Sequence, residues 1–580
     1  MLDHLRLRLA RAEALPLLSL LGILTGVLAG GVILLFRLSI EQVQGMLLPG
    51  GASENFEALA PHWRFLLPLG GALVLGLLFQ LLRQDQRQVG VVHVMERLTY
   101  HQGHLPWQNA VAQFVGAFGA IASGNSVGRE GPAIHLGAVN GSLLGQWLKL
   151  PHNSVRILVA CGVAAAIGAS FNTPLAGVIF AMEVVMMEYT IVSFTPVILA
   201  AVSATVLTRL IYGSAPAFDV PALQLASMAE LPFVLVSGLI IGTLGALFIH
   251  LLRHFTTLLS GWPIWLRMTL AGGVGGLCAL LVPEVMGVGY DTVNTALLGK
   301  YALTTLFAIA LVKLLATTAT LGLGLPGGLI GPTLVVGATA GGALGLAAAQ
   351  LFPDSTSTPG LYAMIGMAAM MGGTLQAPLA ALMAMLELTA NPNLLLPGML
   401  AVIAATMTSS ELFRRGPIFV ELLRARGLDY RNDPVAQSLR RLSVYGVMNR
   451  SVVLSDRHLS PHQVEELLAK NPKWVLIREE EEKLPRNLMP AAELARYMEG
   501  QTKGAEPVDL LAIPALRLQA SPVAFQATLQ EGWELLQRRE SEALYVVRDT
   551  LTRQPTIFGI LSRADIEANY LYNANPTTVT

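Results

Sequence analysis

Residues 128–145 read GREGPAIHLGAVNGSLLG, and residues 328–345 read GLIGPTLVVGATAGGALG. Gly128, Gly131 and Pro132 stay in step with Gly328, Gly331 and Pro332, an offset of 200. A second pair follows: GVAAAIGASFNTPLAGVIFAMEV at 162–184 and GMAAMMGGTLQAPLAALMAMLEL at 366–388, offset by 204. Fainter echoes set Gly26 and Arg37 against Gly242 and Arg253, and Gly90 against Gly289. The same order of signals in each half describes a duplicated chain. Duplication in an apolar region broken by Gly and Pro is the pattern of a transporter or channel whose binding site lies where the repeats meet.

The composition agrees. Of 580 residues, 53% are hydrophobic and 13% charged, against about a quarter charged in soluble domains. Apolar stretches such as 65–82, 231–250 and 302–325 approach or exceed the roughly 20 residues that cross a bilayer. The expectation is an all-α polytopic membrane protein followed by a soluble tail. Arg6, Arg8 and Arg11 precede the first apolar segment with no evident cleavage site, which puts the N-terminus in the cytoplasm of a protein of the inner (plasma) membrane. Cys161 and Cys278 both lie in apolar segments, so no disulfide framework is expected. A net charge of zero implies no nucleic-acid partner, and no metal-ligand motif stands out. The expected division is an N-terminal segment 1–15, membrane halves 16–220 and 221–425, a linker 426–442 and a cytoplasmic α/β domain 443–580. In that last domain, strand-like runs (WVLI, ALYVV, FGIL) alternate with amphipathic stretches (PHQVEELLAK, FQATLQEGWELLQRRE).

The repeat also acts as an internal control on the charged pair in the first frame. Arg129 and Glu130 have Leu329 and Ile330 as counterparts. The Gly-x-x-Gly-Pro frame is therefore architecture, while the charges were placed in one half only. Intramembrane ionisable residues are functional candidates by default, and adjacent residues on a helix do not face each other as a simple salt bridge would need. Each frame is expected to start a helix whose free N–H groups attract an anion. An ionised Glu130 would occupy such a site in place of an anion, and protonation would release it. Glu130 is thus the candidate gate, and Gly90, Gly128, Arg129, Gly131, Leu329, Ile330 and Gly331 are candidates to surround the anion.

GREGP, its partner GGLIGP, NTPLAG and the soluble tail together resemble the CLC chloride channels and chloride/proton exchangers, over about residues 15–425 for the membrane part. The resemblance implies two inverted halves per subunit, homodimers with one anion path per subunit, chloride as the transported ion, and no required cofactor. It also implies a pair of CBS motifs in the tail. The second, GILSRAD at 559–565, is the clearer; the first, ending NLMPAAEL at 487–494, is degenerate. An adenine nucleotide at Ser562 and Asp565 is the ligand such a pair implies.

Three departures bear on mechanism. The serine of the family's GSGIP motif aligns with Val89 in QVGVV, and the later anion-binding tyrosine with Phe419, so two hydroxyl donors are missing. Each is worth about 1.5–3 kcal/mol to a charged group, and a weak central site is expected. The inward glutamate of the exchangers aligns with Val184, as in members that act as channels. Glu183, Glu188 and His93 are the remaining candidates for an inward proton path, but Glu183 recurs as Glu387 and so reads as structural. Gln113 stands where relatives often have a buried lysine. A passive, pH-sensitive anion channel is the leading reading, with a chloride/proton exchanger using another inward route as the alternative. No HExxH, GxSxG or compact acid pair supports an intramembrane enzyme regulated by a CBS tail. An inert regulatory scaffold is the remaining alternative.

Overall fold

The computed structural model describes residues 15–574 apart from 52, 190, 216–217, 219–223, 352–356, 429–433, 480–483, 501–506 and 549–555. All of the expected N-terminal segment but Leu15, the junction expected near residue 220 and part of the expected linker lie outside the described residues. The chain divides into a membrane unit, Leu17–Gln146 with Arg156–Tyr430, and a second unit made mainly of Arg431–Thr580.

Among the described residues of the membrane unit, nine helices are long and apolar enough to cross a bilayer. The first, α1 (Leu15–Leu47), is followed by α2 (Pro61–Leu81), α3 (Gly90–Tyr100), α4 (Trp107–Ala122), α5 (Glu130–Trp147), α6 (His152–Phe171) and α7 (Pro174–Phe180). A π-helical turn, Ala181–Met186, and α8 (Ile191–Tyr212) complete the first half. The second half repeats the order with α9 (Leu231–Leu258), α10 (Ile264–Leu281), α11 (Tyr290–Leu297), α12 (Leu303–Gly322), α13 (Ile330–Leu351), α14 (Pro359–Leu375) and α15 (Pro378–Thr389). It closes with α16 (Leu395–Met407) and α17 (Ile418–Ala425).

The glycines of the repeat set how closely these helices cross. A Cβ on Gly137 would stand 2.2 Å from the Gly162 carbonyl oxygen, and one on Gly337 would stand 2.4 Å from that of Gly366. So α5 crosses α6, and α13 crosses α14, backbone to backbone. Small residues at such crossings are what lets membrane helices gain dispersion contact in a solvent as apolar as their side chains. The shared Gly90/Gly289 echo also has a backbone cause, since both take a left-handed φ, +83° and +87°, where α3 and α11 begin.

The tail is a mixed α/β domain with two similar halves. Strands β1 (Val452–Asp456), β2 (His458–Leu459), β3 (Trp474–Arg478) and β4 (Asn487–Pro490) precede β5 (Val508–Asp509), β6 (Leu518–Ala524), β7 (Ala543–Val547) and β8 (Ile557–Ser562). Six of them form one sheet in the order β1-β3-β4-β6-β7-β8, with β1/β3 and β6/β7 parallel. Helices Pro461–Ala469 and Leu529–Arg539 each connect a parallel pair, and each starts with a capping box, Ser460 with Gln463 and Thr528 with Glu531. Each half has an apolar core, one around Val475 and Leu494 and the other around Leu529 and Val546, and a third cluster with Leu476, Leu488, Ala520 and Tyr545 joins them across the sheet.

Candidate functional site

The two Gly-x-x-Gly-Pro frames lie against each other. Gly128 N–H donates to the Gly328 carbonyl and Gly328 N–H to the Gly128 carbonyl, each at 2.7 Å, forming a small antiparallel bridge. Only glycine fits here. A Cβ on Gly328 would fall 2.6 Å from the Gly131 nitrogen, and one on Gly131 2.7 Å from the Gly328 Cα. From this bridge α5 and α13 start, so two sets of free N–H groups converge on one place.

Glu130 occupies it. Its side chain is fully buried. Oε2 accepts the Gly331 N–H of the opposite frame at 3.1 Å, and Oε1 accepts the hydroxyl of Tyr290. The neighbouring Arg129 makes a loose ionic contact, with Nε 3.8 Å from Oε1 and no hydrogen bond at that nitrogen. Its guanidinium lies over the Tyr290 ring, 4.8 Å from the centroid. The pair does not form the tight salt bridge that adjacency makes awkward.

Two cavities approach this point. One, of about 320 Å³, is lined by Arg129 and Tyr290 together with Arg37, Glu41, Glu54 and Tyr212. The other, of about 550 Å³, is lined by Val89, Gly90, Gly131, Leu329, Ile330 and Phe419, among others. Arg129 faces the first and Gly131 the second, so the Glu130 backbone joins the two walls and its carboxylate lies on the N–H groups between them. Val89 and Phe419, read as substitutes for hydroxyl donors, share the second cavity with the start of α13.

The remaining candidates separate from this centre. Glu183 accepts the N–H groups of Leu379 and Ala380 at 3.3 and 2.7 Å. Glu387 accepts those of Leu175 and Ala176 at 3.0 and 2.7 Å. Each glutamate caps the Pro-initiated helix of the other half. Val184 is buried. Glu188 lies 3.5 Å from Arg156 Nη2. His93 Nδ1 lies 3.0 Å from His135 Nε2 in a buried imidazole pair, whose outer nitrogen, His135 Nδ1, has no hydrogen-bond partner among the described residues. In the tail, Ser562 Oγ and its N–H both bond to Asp565 Oδ2, at 2.7 and 2.8 Å, capping the helix Arg563–Ala574. Neither residue lines the tail cavity bounded by Arg486, Ser521, Arg539 and Tyr545.

Three residues outside the sequence reading belong to the centre. Tyr290 holds the Glu130 carboxylate from the second half. Glu54, in the connection between α1 and α2, accepts the Tyr290 N–H at 3.2 Å. Lys313 is fully buried and donates to the carbonyls of Val285 and Gly287 at 3.0 and 2.9 Å, fixing the segment that delivers Gly289 and Tyr290. A signal for Lys313 was present, since it stands 200 residues after Gln113. The buried lysine has its place in the other repeat, and the Gln113 side chain has no hydrogen-bond partner among the described residues.

Comparison with known proteins places these features. The sequence profile described as voltage gated chloride channel matches residues 70–410. A protein of Ralstonia nicotianae, named provisionally as a ClcB-like chloride channel protein, is 33% identical over 384 residues, covering 64% of this chain and 89% of that protein. The H(+)/Cl(-) exchange transporter ClcA of Salmonella arizonae is 30% identical over 421 residues, covering 70% and 88%. Among solved structures, a slow cyanobacterial Cl-/H+ antiporter superposes with a TM-score of 0.63 at 23% identity, over 72% of this chain and 99% of the other. A eukaryotic CLC transporter superposes at 0.59 and 19% identity, over 94% and 97%.

Proposed function

The chain belongs to the voltage-gated chloride channel (CLC) family, as a multi-pass membrane protein of chloride transport and not an enzyme, and from this premise we propose that it is a passive, pH-sensitive anion channel gated by Glu130. One observation carries the proposal: the Glu130 carboxylate sits on the Gly331 N–H, where a dehydrated anion would be stabilised, between two cavities. An ionised gate blocks by standing in for the anion. A protonated one loses its claim on the N–H groups, and chloride takes its place.

The sides of the path follow from the first helix. With Arg6, Arg8 and Arg11 cytoplasmic, one crossing by α1 puts Arg37, Glu41 and Glu54 on the external side, so the Tyr290 cavity is the outer mouth. On the inner side, Val184 neither accepts nor donates a proton, and Glu183 is engaged as a helix cap. The channel reading rests on that gap. The exchanger reading is favoured by the relatives named as exchangers, with the His93–His135 pair as the inward candidate. We take the protein to act as a homodimer with one path per subunit, its halves inverted and its tail a cytoplasmic CBS pair. Ser562 and Asp565 are engaged with each other and fit a nucleotide poorly, so no step is routed through one.

The test is purified protein in liposomes, with anion efflux and proton movement recorded together across pH. The expected result is chloride flux whose reversal potential stays at the chloride equilibrium value under a proton gradient. Stoichiometric uphill proton movement driven by chloride would replace the channel with the exchanger.

A further inference from the structure

The outer cavity contains a second carboxylate whose role the gate does not explain. Glu54 is half-buried, and it sits with φ +68°, a left-handed conformation that few non-glycine residues adopt. Its Oε2 accepts the N–H of Tyr290, the first residue of α11, at 3.2 Å. The Tyr290 hydroxyl in turn donates to Glu130. Tyr290 therefore joins two carboxylates end to end, one facing the cavity and one in the path.

Among the described residues, the charges lining that cavity are Arg37 and Arg129 against Glu41 and Glu54, a balance of zero when both acids are ionised. Arg37 and Glu41 are already paired, Nε to Oε1 at 2.6 Å, with the Tyr212 hydroxyl on the other Glu41 oxygen at 2.8 Å. Among the described residues Arg129 has only the loose contact with Glu130 at 3.8 Å, and Glu54 is the cavity acid that offsets it without a salt bridge of its own. Protonation of Glu54 leaves the lining with one net positive charge, at the mouth an anion must enter.

We propose that Glu54 is a proton-controlled electrostatic switch on anion capture, separate from and in series with the Glu130 gate. The inference rests on the gated-path reading given above. Low external pH then acts twice, by opening the gate and by turning a neutral antechamber into a cationic one.

The groups around Glu54 set the direction in which its proton affinity moves. Burial pushes its carboxyl above the usual carboxylate range; Arg129 opposes that shift, Asp291 reinforces it, and the Tyr290 N–H and Lys313 oppose it further. Glu57, on the same connection, is pushed up to about 7 by burial and by Asp291 and Glu284. The external rim is therefore acidic enough to take up protons before an isolated carboxylate would. One unit charge at roughly 6 Å in a wet site changes anion capture about three- to tenfold, and inert salt screens that effect.

The experiment uses full-length protein in liposomes and measures apparent external chloride affinity from pH 7.5 to 4.5. It compares wild type, Glu54→Gln, Glu54→Asp, Glu130→Gln and the double variant Glu54→Gln/Glu130→Gln. With the gate removed by Glu130→Gln, affinity is expected still to rise about three- to tenfold on acidification. Glu54→Gln should fix it at the high value across pH, Glu54→Asp should restore the pH dependence, and inert salt should shrink the difference. If Glu130→Gln shows no residual pH dependence in chloride affinity, or if adding Glu54→Gln leaves that dependence unchanged, the switch is wrong. A Glu130→Gln variant that keeps the full wild-type pH profile of flux would instead overturn the gate.

Discussion

Removing the Tyr290 hydroxyl tests the gate most directly, because it deletes one atom that touches Glu130 and leaves the packing in place. Tyr290→Phe keeps the ring under Arg129, 4.8 Å from the guanidinium, the edge contact with Phe218 at a centroid distance of 5.2 Å and the tilted contact with Phe171 at 6.0 Å. What is lost is one of the two hydrogen bonds to the gate carboxylate, leaving Gly331 N–H alone. A hydrogen bond to a charged group contributes about 1.5–3 kcal/mol, and about 1.4 kcal/mol corresponds to one pH unit. The sign follows from the donor. A hydroxyl stabilises the ionised, blocking form, so its removal favours the protonated, open form. The pH of half-maximal chloride efflux should move up by about 1–2 units, read from a pH series on liposomes holding equal amounts of folded protein. A midpoint unchanged within a few tenths of a unit, or shifted toward acid, would refute the assignment of Tyr290 as a clamp on the gate.

Glu130→Gln should flatten the external pH dependence of flux that arises at the gate, and a wild-type flux profile in that variant would remove Glu130 from the role. Val89→Ser combined with Phe419→Tyr should tighten chloride binding, because both side chains line the same cavity as the start of α13. With two hydroxyls restored at about 1.5–3 kcal/mol each at most, unchanged affinity by calorimetry in the folded double variant would discard this account of the weak central site. Glu183→Ala and Glu387→Ala should each lower stability in detergent by about 1–2 kcal/mol, the range of a lost helix cap. Thermal unfolding checks this, and a large loss at Glu183 with none at Glu387 would contradict reciprocal capping.

How much of this could be read in advance depended on whether the feature was written in both halves. The Gly-x-x-Gly-Pro frames, the Pro-initiated helices and the glutamate pair recur at offsets of 200 and 204, and the structure turns each recurrence into a contact between the halves. The tail was legible for a different reason: its strands and capped helices are local, and Ser460 with Gln463 or Thr528 with Glu531 announce helix starts within four residues. Tyr290 was not legible. It reaches Glu130 across 160 positions, and its own surroundings, GVGYDTV, read as the start of a short amphipathic helix. Glu54 was hidden in the same way, as one acid in a polar connection whose closure onto α11 no periodicity reveals.

Where the repeats differ, the differences fall on one side of the gate. Arg129 stands against Leu329, Glu130 against Ile330, Tyr290 against Val91 and Lys313 against Gln113. Three of these polar members meet at the gate carboxylate, and Lys313 secures the segment that brings Tyr290 there. The apolar members Leu329 and Ile330 line the opposite cavity with Val89 and Phe419. A duplicated scaffold has thus been made asymmetric along the path. The Tyr290 cavity carries carboxylates as well as guanidinium groups, Glu41 and Glu54 with Arg37 and Arg129, while the charged side chains described around the other are the arginines Arg87, Arg267 and Arg426, beside Val89, Leu329, Ile330 and Phe419. Conduction needs binding strong enough to enter and weak enough to leave; under the channel reading, the arginines of the Val89 cavity serve the first condition and the hydroxyls missing at Val89 and Phe419 the second.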